Sequence, residues 1–205
     1  MNNITFGLTG GICCGKSTVT KTILSHGIPV VDADIVARQI VEIGSPGLKE
    51  IINNFGTSFL NDDSSLNRIK FGKYVFEAKE ALSLLNHIMG PLLIAEATIQ
   101  INKFHEAGHK LVCLDAALII EMGIADNYRP LIVVHCPESM QLARLIRRNS
   151  LTEGEARARI KAQIPGTEKL KFADFVIDSS KELEFSRNQT EDIIKIIKDL
   201  SNPVR

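Results

Sequence analysis

The sequence predicts a three-layer α/β fold in which helices cover both faces of a five-stranded parallel sheet. Apolar, β-rich runs recur along the chain, and segments with helical periodicity separate them. Each run is almost continuously apolar, which is typical of parallel strands buried on both faces. The predicted strands are 4–9, 28–32, 110–115, 131–136 and 175–178. The predicted helices are 16–25, 35–43, 79–106, 140–148, 153–163 and 191–200.

The segment between the second strand and the long third helix does not follow this alternation. The sequences GSPG at 44–47 and NDDSS at 61–65 are typical of turns. We therefore expect a mainly helical insertion at about 40–95, packed against the core. The chain shows no internal repeat and no evident linker, which predicts one domain at 3–203, with a core of about 1–39 and 96–205.

A glycine loop follows the first predicted strand and precedes the first helix. The sequence GGICCGKS at 10–17 fits the pattern G-x-x-x-x-G-K-S. In such a loop, backbone N–H groups surround phosphate oxygens, and the helix N-terminus adds positive potential. Lys16 is expected to reach the β- and γ-phosphates of a nucleotide, and the Ser17 hydroxyl to ligate Mg²⁺. The predicted nucleotide-binding residues here are Gly11, Ile12, Cys13, Cys14, Gly15, Lys16, Ser17 and Thr18.

The composition is that of an ordinary globular protein and indicates neither a nucleic-acid nor a membrane partner. The chain carries 24 basic and 24 acidic side chains, so its formal net charge is zero and any phosphate recognition must be local. No continuous apolar run approaches the length of a membrane span, and the N-terminus lacks a secretory signal pattern. We therefore expect a cytoplasmic protein.

The four cysteines, Cys13, Cys14, Cys113 and Cys136, do not have metal-binding spacing. Cys113 and Cys136 lie in apolar runs and are expected to be buried in a reducing compartment. Cys13 and Cys14 are unusual because they lie inside the glycine loop. Either the loop tolerates various side chains there, since it binds through its backbone, or a thiolate near the helix N-terminus makes it sensitive to oxidation.

A second informative region is rich in basic residues. Residues 144–171 contain eight basic and three acidic side chains. Arg144 and Arg148 are four residues apart and therefore share one face of a predicted helix. The region is either a solvated basic face or a mobile lid, at about 140–170, whose guanidinium groups close onto a triphosphate. The presence of the glycine loop favours the lid.

Two aspartates lie at or just after predicted strand ends, where ligands bind in open parallel sheets. Asp34 can orient or deprotonate an attacking hydroxyl, or it can cap the next helix with Arg38 as its ion-pair partner. Asp115 can hold Mg²⁺ through water, or it can cap the end of the third strand. At this point both choices remain open.

Six motifs along the chain are GLTGGICCGKSTV, VVDADIVARQIV, LIIEMG, QLARLIRR, RIKAQ and ADFVID. In their order and spread they resemble the dephospho-coenzyme A (dephospho-CoA) kinase family. The D-A-D-x-x-x-R element is the most specific, because generic phosphate-loop kinases lack it at this spacing. The resemblance implies a P-loop NTPase fold with a helical substrate-binding insertion and a lid. It also implies ATP-dependent phosphorylation of the ribose 3′-hydroxyl of dephospho-CoA, which gives CoA and ADP in the last step of CoA biosynthesis.

The resemblance also assigns roles to residues. It implies that Asp34 orients or deprotonates the 3′-hydroxyl, and that Lys16 and Ser17 bind phosphate and Mg²⁺. It implies that Arg144 and Arg148 act from the lid and bind ATP. The implied catalytic residues are thus Asp34, Lys16, Arg144 and Arg148, and the implied acceptor-binding residues are Asp34, Arg38, Arg68 and Glu121. The implied partners are ATP and dephospho-CoA, and we expect a monomer or a weak homo-oligomer.

The chain departs from the family pattern at four places. Gly90-Pro91 stands where the family usually has His-Pro, and Ala117 replaces the first residue of Pro-Leu-Leu. Ser179 stands where the family has asparagine, and Cys13-Cys14 replaces small loop residues. These differences concern the acceptor pocket and the adenine contacts, whereas the phosphate-transfer residues are intact.

Three other functions remain alternatives. One is another P-loop kinase that acts on a small molecule or a nucleotide, and the D-A-D element argues against it. A second is a nucleotide-dependent regulatory ATPase, which would be expected to carry an N-K-x-D motif; the Asn-Lys at 102–103 continues as Phe-His. A third, prompted by the four departures, is a divergent copy with weak activity.

Overall fold

The structure, a computed structural model, describes residues 3–201 apart from the side chain of Phe76. The last two residues of the predicted domain, 202–203, lie outside the described residues. The chain divides into two compact units. One comprises Met1–Asp32 and Ile101–Arg205, and the other comprises Ala33–Gln100.

The first unit contains a five-stranded parallel sheet, as predicted. Its order is β2-β3-β1-β4-β5, so β1 is central and pairs with both β3 and β4. Because all the strands run in the same direction, their carboxyl ends meet at one edge of the sheet. The strands are β1 Ile4–Gly10, β2 Val30–Asp32, β3 Leu111–Asp115, β4 Leu131–His135 and β5 Phe175–Asp178.

α-Helices follow β1, β2, β4 and β5 along the chain, whereas β3 is followed by a short 3₁₀ helix, Ala125–Asn127. The predictions for helices at 16–25 and 79–106 are confirmed at both ends. Within the described residues the α-helices are α1 Lys16–Ser25, α2 Ala33–Gln39, α3 Pro46–Phe55, α4 Arg68–Glu77, α5 Lys79–Glu106, α6 Glu138–Asn149, α7 Glu153–Lys161, α8 Gly166–Lys169 and α9 Leu183–Ser201.

An apolar cluster between the sheet, α1 and α9 forms the core of the first unit. Phe6 on β1, Ile23 on α1 and Ile197 on α9 are fully buried in it. Each side chain of this size stabilises the fold by about 1.5–3 kcal/mol through burial. Cys113 and Cys136 are also buried there, as predicted. The core therefore reaches the carboxyl edge of the sheet, from which the glycine loop emerges.

Helices α2–α4 and most of α5 form the second unit. α2 ends at Gln39, before the predicted end at residue 43. The reason is local, since the Ser45 hydroxyl donates to the Ile40 carbonyl at 2.7 Å as the chain turns. Ser45 then caps α3 by accepting a hydrogen bond from the Leu48 N–H at 3.2 Å.

An aromatic cluster holds α3 and α4 together. The ring centroids of Phe55 and Phe71 are 5.1 Å apart in an edge-to-face arrangement, and Phe59 lies 5.2 Å from Phe71. Such pairs are each worth about 0.5–1.5 kcal/mol beyond the burial of their area. The cluster gives the second unit apolar packing of its own.

The long helix α5 differs from one expectation. By length and composition alone it is long and apolar enough to cross a membrane, although the sequence contains no continuous apolar run of that length. The criterion averages hydropathy over 18 residues, so it is met even when some of them are polar. In α5, polar residues such as Asn86 and Glu96 lie among the apolar ones. The prediction of no continuous apolar run of that length holds, but the expectation of no membrane-length apolar segment fails for α5 by this average.

Candidate active site

The glycine loop joins β1 to α1, and a hydrogen bond between two of its own backbone groups closes the turn. Gly15 caps the N-terminus of α1 with a φ of 82°, in the left-handed region that glycine adopts at least cost. Cys13 also has a positive φ, of 59°. The Cys14 N–H donates to the Gly11 carbonyl at 3.1 Å. Turns of this kind direct successive N–H groups into one concavity, where an anion binds.

Lys16 and Asp115 form an ion pair between the first residue of α1 and the last residue of β3. The Lys16 ammonium donates to Oδ1 of Asp115, and the Thr20 hydroxyl donates to Oδ2 at 2.6 Å. Burial raises the pKa of the Asp115 carboxyl, and Lys16 opposes that shift. Asp32 lies opposite Asp115 in the register of β2 and β3 and raises the same pKa. Two carboxylates therefore lie next to each other at this edge of the sheet, and Lys16 pairs with one of them.

Ser17 is the second residue of α1, and it is exposed. Its hydroxyl is therefore accessible at the mouth of the loop. Mg²⁺ prefers oxygen ligands, usually keeps several waters, and takes further ligands from nucleotide phosphates. A hydroxyl at an anion-binding loop, with Asp115 and Asp32 at the neighbouring strand ends, fits that chemistry.

The two predicted lid arginines have different environments. Arg144 on α6 donates to the Cys13 carbonyl at 3.4 Å and to the Ser179 carbonyl at 2.8 Å. Arg148, one turn later, is exposed and donates to the side chain of Asn149 at 2.8 Å. Burial raises the pKa of the Cys13 thiol, and Arg148 and Arg144 oppose that shift. Arg144 is thus held against the loop backbone, whereas Arg148 is free to reach solvent.

Ser179 supports the loop, a role that no motif in the sequence indicated. It directly follows β5, is 5% exposed, and donates from its hydroxyl to the Cys14 carbonyl at 2.6 Å. Its own N–H donates to the His135 carbonyl at 2.9 Å, which fixes its position on the sheet. The sequence offered one indication of this role: Ser179 directly follows a predicted strand, at the position where the family pattern has asparagine.

Polar contacts of Gln163, Ile164 and Lys169 connect the segment after α7 to the rest of the first unit. The Gln163 side chain accepts a hydrogen bond from the loop amide of Ile12 at 2.8 Å. Lys169, fully buried, donates to both carboxylate oxygens of Glu121 at 2.6 and 2.9 Å. Glu121 also accepts from the Ile164 N–H at 3.1 Å. Glu121, predicted to bind the acceptor, therefore has two protein donors in this structure.

A cavity of about 230 Å³ lies beside the glycine loop, between the end of β4 and the connection from α7 to α8. Nδ1 of His135 is buried there and has no hydrogen-bond partner among the described residues. The cavity is lined by Gly11, His135, Cys136, Gln141, Gln163 and Gly166, among others.

Three predicted acceptor-binding residues belong to the second unit. Asp34 lies in the first turn of α2, which begins directly after the last residue of β2. Arg38 lies in the last turn of the same helix. The Arg68 guanidinium, at the start of α4, donates to the Arg38 carbonyl at 3.0 Å. The structure therefore brings the two arginines together, beside a cleft lined by Val41, Glu42, Ile43, Ser65, Leu66 and Arg68.

A protein-family model described as dephospho-CoA kinase matches residues 4–184 of the chain. A dephospho-CoA kinase from Listeria innocua is 44% identical over 185 residues, which cover 90% of this chain and 92% of that protein. A dephospho-CoA kinase from Bdellovibrio bacteriovorus is 40% identical over 196 residues, which cover 96% of this chain and 97% of that protein.

Two solved structures have similar folds over nearly the whole chain. A dephospho-CoA kinase from Campylobacter jejuni superposes with a TM-score of 0.71 at 29% identity, covering 98% of both chains. The protein TT1252 from Thermus thermophilus superposes with a TM-score of 0.79 at 27% identity, covering 100% of both chains.

Proposed function

The chain belongs to the dephospho-CoA kinase family, and we propose how its residues carry out the ATP-dependent phosphorylation of dephospho-CoA, the last step of coenzyme A biosynthesis. In this transfer the ribose 3′-hydroxyl oxygen forms a bond to the γ-phosphorus, and ADP leaves. The observation that carries the assignment is the position of Lys16, at the N-terminus of α1, in the loop turn and beside Asp115. Positioning and neutralisation of charge supply most of the catalysis in such transfers.

The glycine loop and Lys16 bind the β- and γ-phosphates of ATP. The loop amides converge on one concavity, and the helix dipole of α1 adds positive potential at the same place. When ATP binds, the Lys16 ammonium exchanges its hydrogen bond to Asp115 for phosphate oxygens. The Ile12 amide likewise exchanges the Gln163 side chain for phosphate.

The Ser17 hydroxyl would hold Mg²⁺, and the Asp115 carboxylate would assist through water. The metal would supply positive charge that neutralises the phosphates. Release from Lys16 would leave the Asp115 carboxylate free for this role.

Asp34 accepts the hydrogen bond of the ribose 3′-hydroxyl, aligns the oxygen with the γ-phosphorus and takes its proton. Its place directly after the carboxyl end of β2 supports this role. Arg38 and Arg68 are the proposed cationic contacts for dephospho-CoA, and Glu121 is a further proposed contact.

The segment at about 140–170 acts as a lid. Arg148, exposed on α6, moves onto the phosphates, while Arg144 stays with the loop it already holds. Closure stabilises the charge of the transition state and excludes water, which would otherwise hydrolyse ATP.

The enzyme works in the cytoplasm as a monomer or weak homo-oligomer, without a nucleic-acid or membrane partner. The zero formal net charge supports the proposed lack of these two partners, because such a chain has no global attraction to nucleic acid or to anionic lipid.

Steady-state ADP formation tests the assignment directly. With dephospho-CoA as acceptor, ADP and CoA are expected to form in equal amounts. Nucleoside monophosphates and shikimate are expected to give no more than the acceptor-free rate. Preference for one of those acceptors would identify another P-loop kinase, and acceptor-independent ADP formation would identify an ATPase.

A further inference from the structure

Two cysteines that are far apart in the sequence meet beneath the glycine loop. The sulfur of Cys14 lies 3.7 Å from the sulfur of Cys136, across 122 positions of chain. Each residue is 1% exposed. Cys14 belongs to the loop itself, and Cys136 is the first residue after β4. The pair therefore joins the phosphate-binding loop to the edge of the sheet.

The surroundings favour the reaction of Cys14 rather than of the other thiols. Hydrogen bonds from Cys136 and Gln141 lower the pKa of the Cys14 thiol to about 6, against the effect of its burial. Burial raises the pKa of Cys113, which lies inside β3. It also raises the pKa of Cys13. Since the thiolate is the nucleophile, Cys14 is the most reactive of these thiols at neutral pH.

A cavity large enough for a small oxidant adjoins this pair. Cys136 lines the cavity of about 230 Å³ beside the loop, together with Gly11 and Gln141, which contacts Cys14. A space of this size holds several molecules of the size of water or peroxide. Both sulfurs are buried in the apolar core, and on the Cys136 side the pair borders this cavity.

We propose that Cys14 and Cys136 form a reversible disulfide when the enzyme is exposed to hydrogen peroxide, and that this bond weakens the binding of ATP. The second half of the proposal rests on the proposed role of the glycine loop. Cys14 lies in the nucleotide-binding loop, but neither cysteine is among the residues proposed to transfer phosphate.

The chemistry needs one peroxide for each disulfide. The Cys14 thiolate attacks one peroxide oxygen, a sulfur–oxygen bond forms, the O–O bond breaks, and the departing hydroxide takes a proton to become water. Cys136 then loses its proton and attacks the Cys14 sulfur; the S–S bond forms and the S–O bond breaks. The second hydroxide takes that proton and leaves as water. Two thiols are oxidised by two electrons, and one peroxide is reduced to two waters.

The bond would change the loop because the sulfurs must approach. A disulfide has an S–S length of about 2.05 Å, against the 3.7 Å observed between the thiols. On the loop side, the Cys14 carbonyl is held by Ser179, and the next residue is Gly15, the cap of α1. Movement of Cys14 toward β4 therefore turns the amides that must converge on phosphate. By thermodynamic reciprocity, bound ATP opposes disulfide formation by the same factor.

Peptide mapping of the full-length protein tests the bond itself. After treatment with hydrogen peroxide, digestion with trypsin and Asp-N separates Cys113 from Cys136, since Asp115 and Asp126 lie between them. We expect a cross-linked peptide pair containing Cys136 and the glycine loop, which dithiothreitol separates. The same pair is expected in Cys13→Ser, which assigns the loop partner to Cys14. Absence of the pair, or its loss in Cys13→Ser, overturns the proposal.

Calorimetric titration with ATP tests the consequence without relying on the kinase reaction. The oxidised wild type is expected to bind ATP at least about tenfold more weakly, with recovery after reduction. Cys136→Ser is expected to keep its affinity for ATP after peroxide treatment. The matched variant Cys113→Ser is expected to lose ATP affinity to the same extent as the wild type. Unchanged affinity of the cross-linked protein, or equal loss in Cys136→Ser, contradicts the proposed effect. A reduced enzyme that binds ATP but fails to phosphorylate dephospho-CoA would instead count against the proposed function.

Discussion

The Lys16 ammonium donates a hydrogen bond to the Asp115 carboxylate, so the lysine of the glycine loop has a protein partner in this structure. Asp115 is 4% exposed, and a buried carboxylate is stable only when it is paired or hydrogen-bonded. The lysine and the aspartate therefore stabilise each other. In the proposed mechanism, ATP phosphates take over the Lys16 ammonium, and Asp115 would then be free to hold Mg²⁺ through water.

Lys16→Ala is expected to weaken ATP binding, lower turnover and destabilise the fold in a pH-dependent way. Burial already holds the pKa of Asp115 above its usual value, and loss of the ammonium raises it further. When a carboxyl has a higher pKa in the folded than in the unfolded state, the fold loses stability as pH rises from the unfolded-state pKa to the folded-state pKa. Wild type and variant lose this contribution equally until the pH reaches the raised pKa of Asp115 in the folded wild type. The difference in their free energy of unfolding should therefore grow only above that pKa, which urea titrations at several pH values measure.

Lys171→Ala is the matched control for this experiment. Lys171 is exposed and pairs with Glu168 at the surface, so its loss is expected to change stability by less than about 0.5 kcal/mol. A stability difference for Lys16→Ala that stays constant with pH would show that Asp115 does not depend on the lysine.

Asp34→Asn is expected to separate catalysis from binding. The amide keeps the shape of the carboxylate but cannot accept the proton of the 3′-hydroxyl. We expect kcat to fall by roughly 10²–10⁴ while the affinity for ATP stays within about twofold. Steady-state kinetics and calorimetry measure the two quantities. Asp63→Asn, an exposed carboxylate of the second unit, is the control and should retain kcat. If Asp34→Asn turns over at a near-normal rate, Asp34 contributes only to the first turn of α2 and not to catalysis.

Glu121→Gln is expected to lower stability because it leaves a fully buried ammonium without a counter-charge. Lys169 is 0% exposed, and removal of one partner of a buried pair costs about 3–5 kcal/mol, less here because Glu121 retains some exposure. We expect a loss of about 2 kcal/mol or more in urea unfolding. The surface variant Glu168→Gln should lose less than about 0.5 kcal/mol. A fully stable Glu121→Gln with a raised KM for dephospho-CoA would make Glu121 a substrate contact alone.

The sheet was predictable because its strands are nearly continuous apolar runs. The first residues of β2 were the exception: the predicted strand began at residue 28, whereas the observed one begins at Val30. Pro29 has no N–H to donate to a ladder, and this limit was present in the sequence. The start of α9 was harder to predict, since Ser186 and Thr190 are buried on its first turns and leave no apolar periodicity.

The individual residues of the loop were predictable, but their supports were not. A motif records spacing along the chain, whereas the contacts of Cys14 with Cys136 and of Lys169 with Glu121 join residues far apart in sequence. A buried lysine also looks like any surface lysine in a basic segment. Such pairings depend on tertiary packing, which composition and periodicity do not encode.

Ser179→Ala tests whether one of these supports matters for ATP binding. Ser179 donates to the Cys14 carbonyl at 2.6 Å in a buried position, and the alanine variant leaves that carbonyl without this donor. An unsatisfied buried acceptor costs about 1–3 kcal/mol, so both the free energy of unfolding and the affinity for ATP are expected to fall. The neighbouring Ser180→Ala removes a hydroxyl after the same strand without touching the loop contact, and it should leave both quantities nearly unchanged. If Ser179→Ala is destabilised but binds ATP normally, the hydrogen bond stabilises the fold and does not hold the loop in its binding conformation.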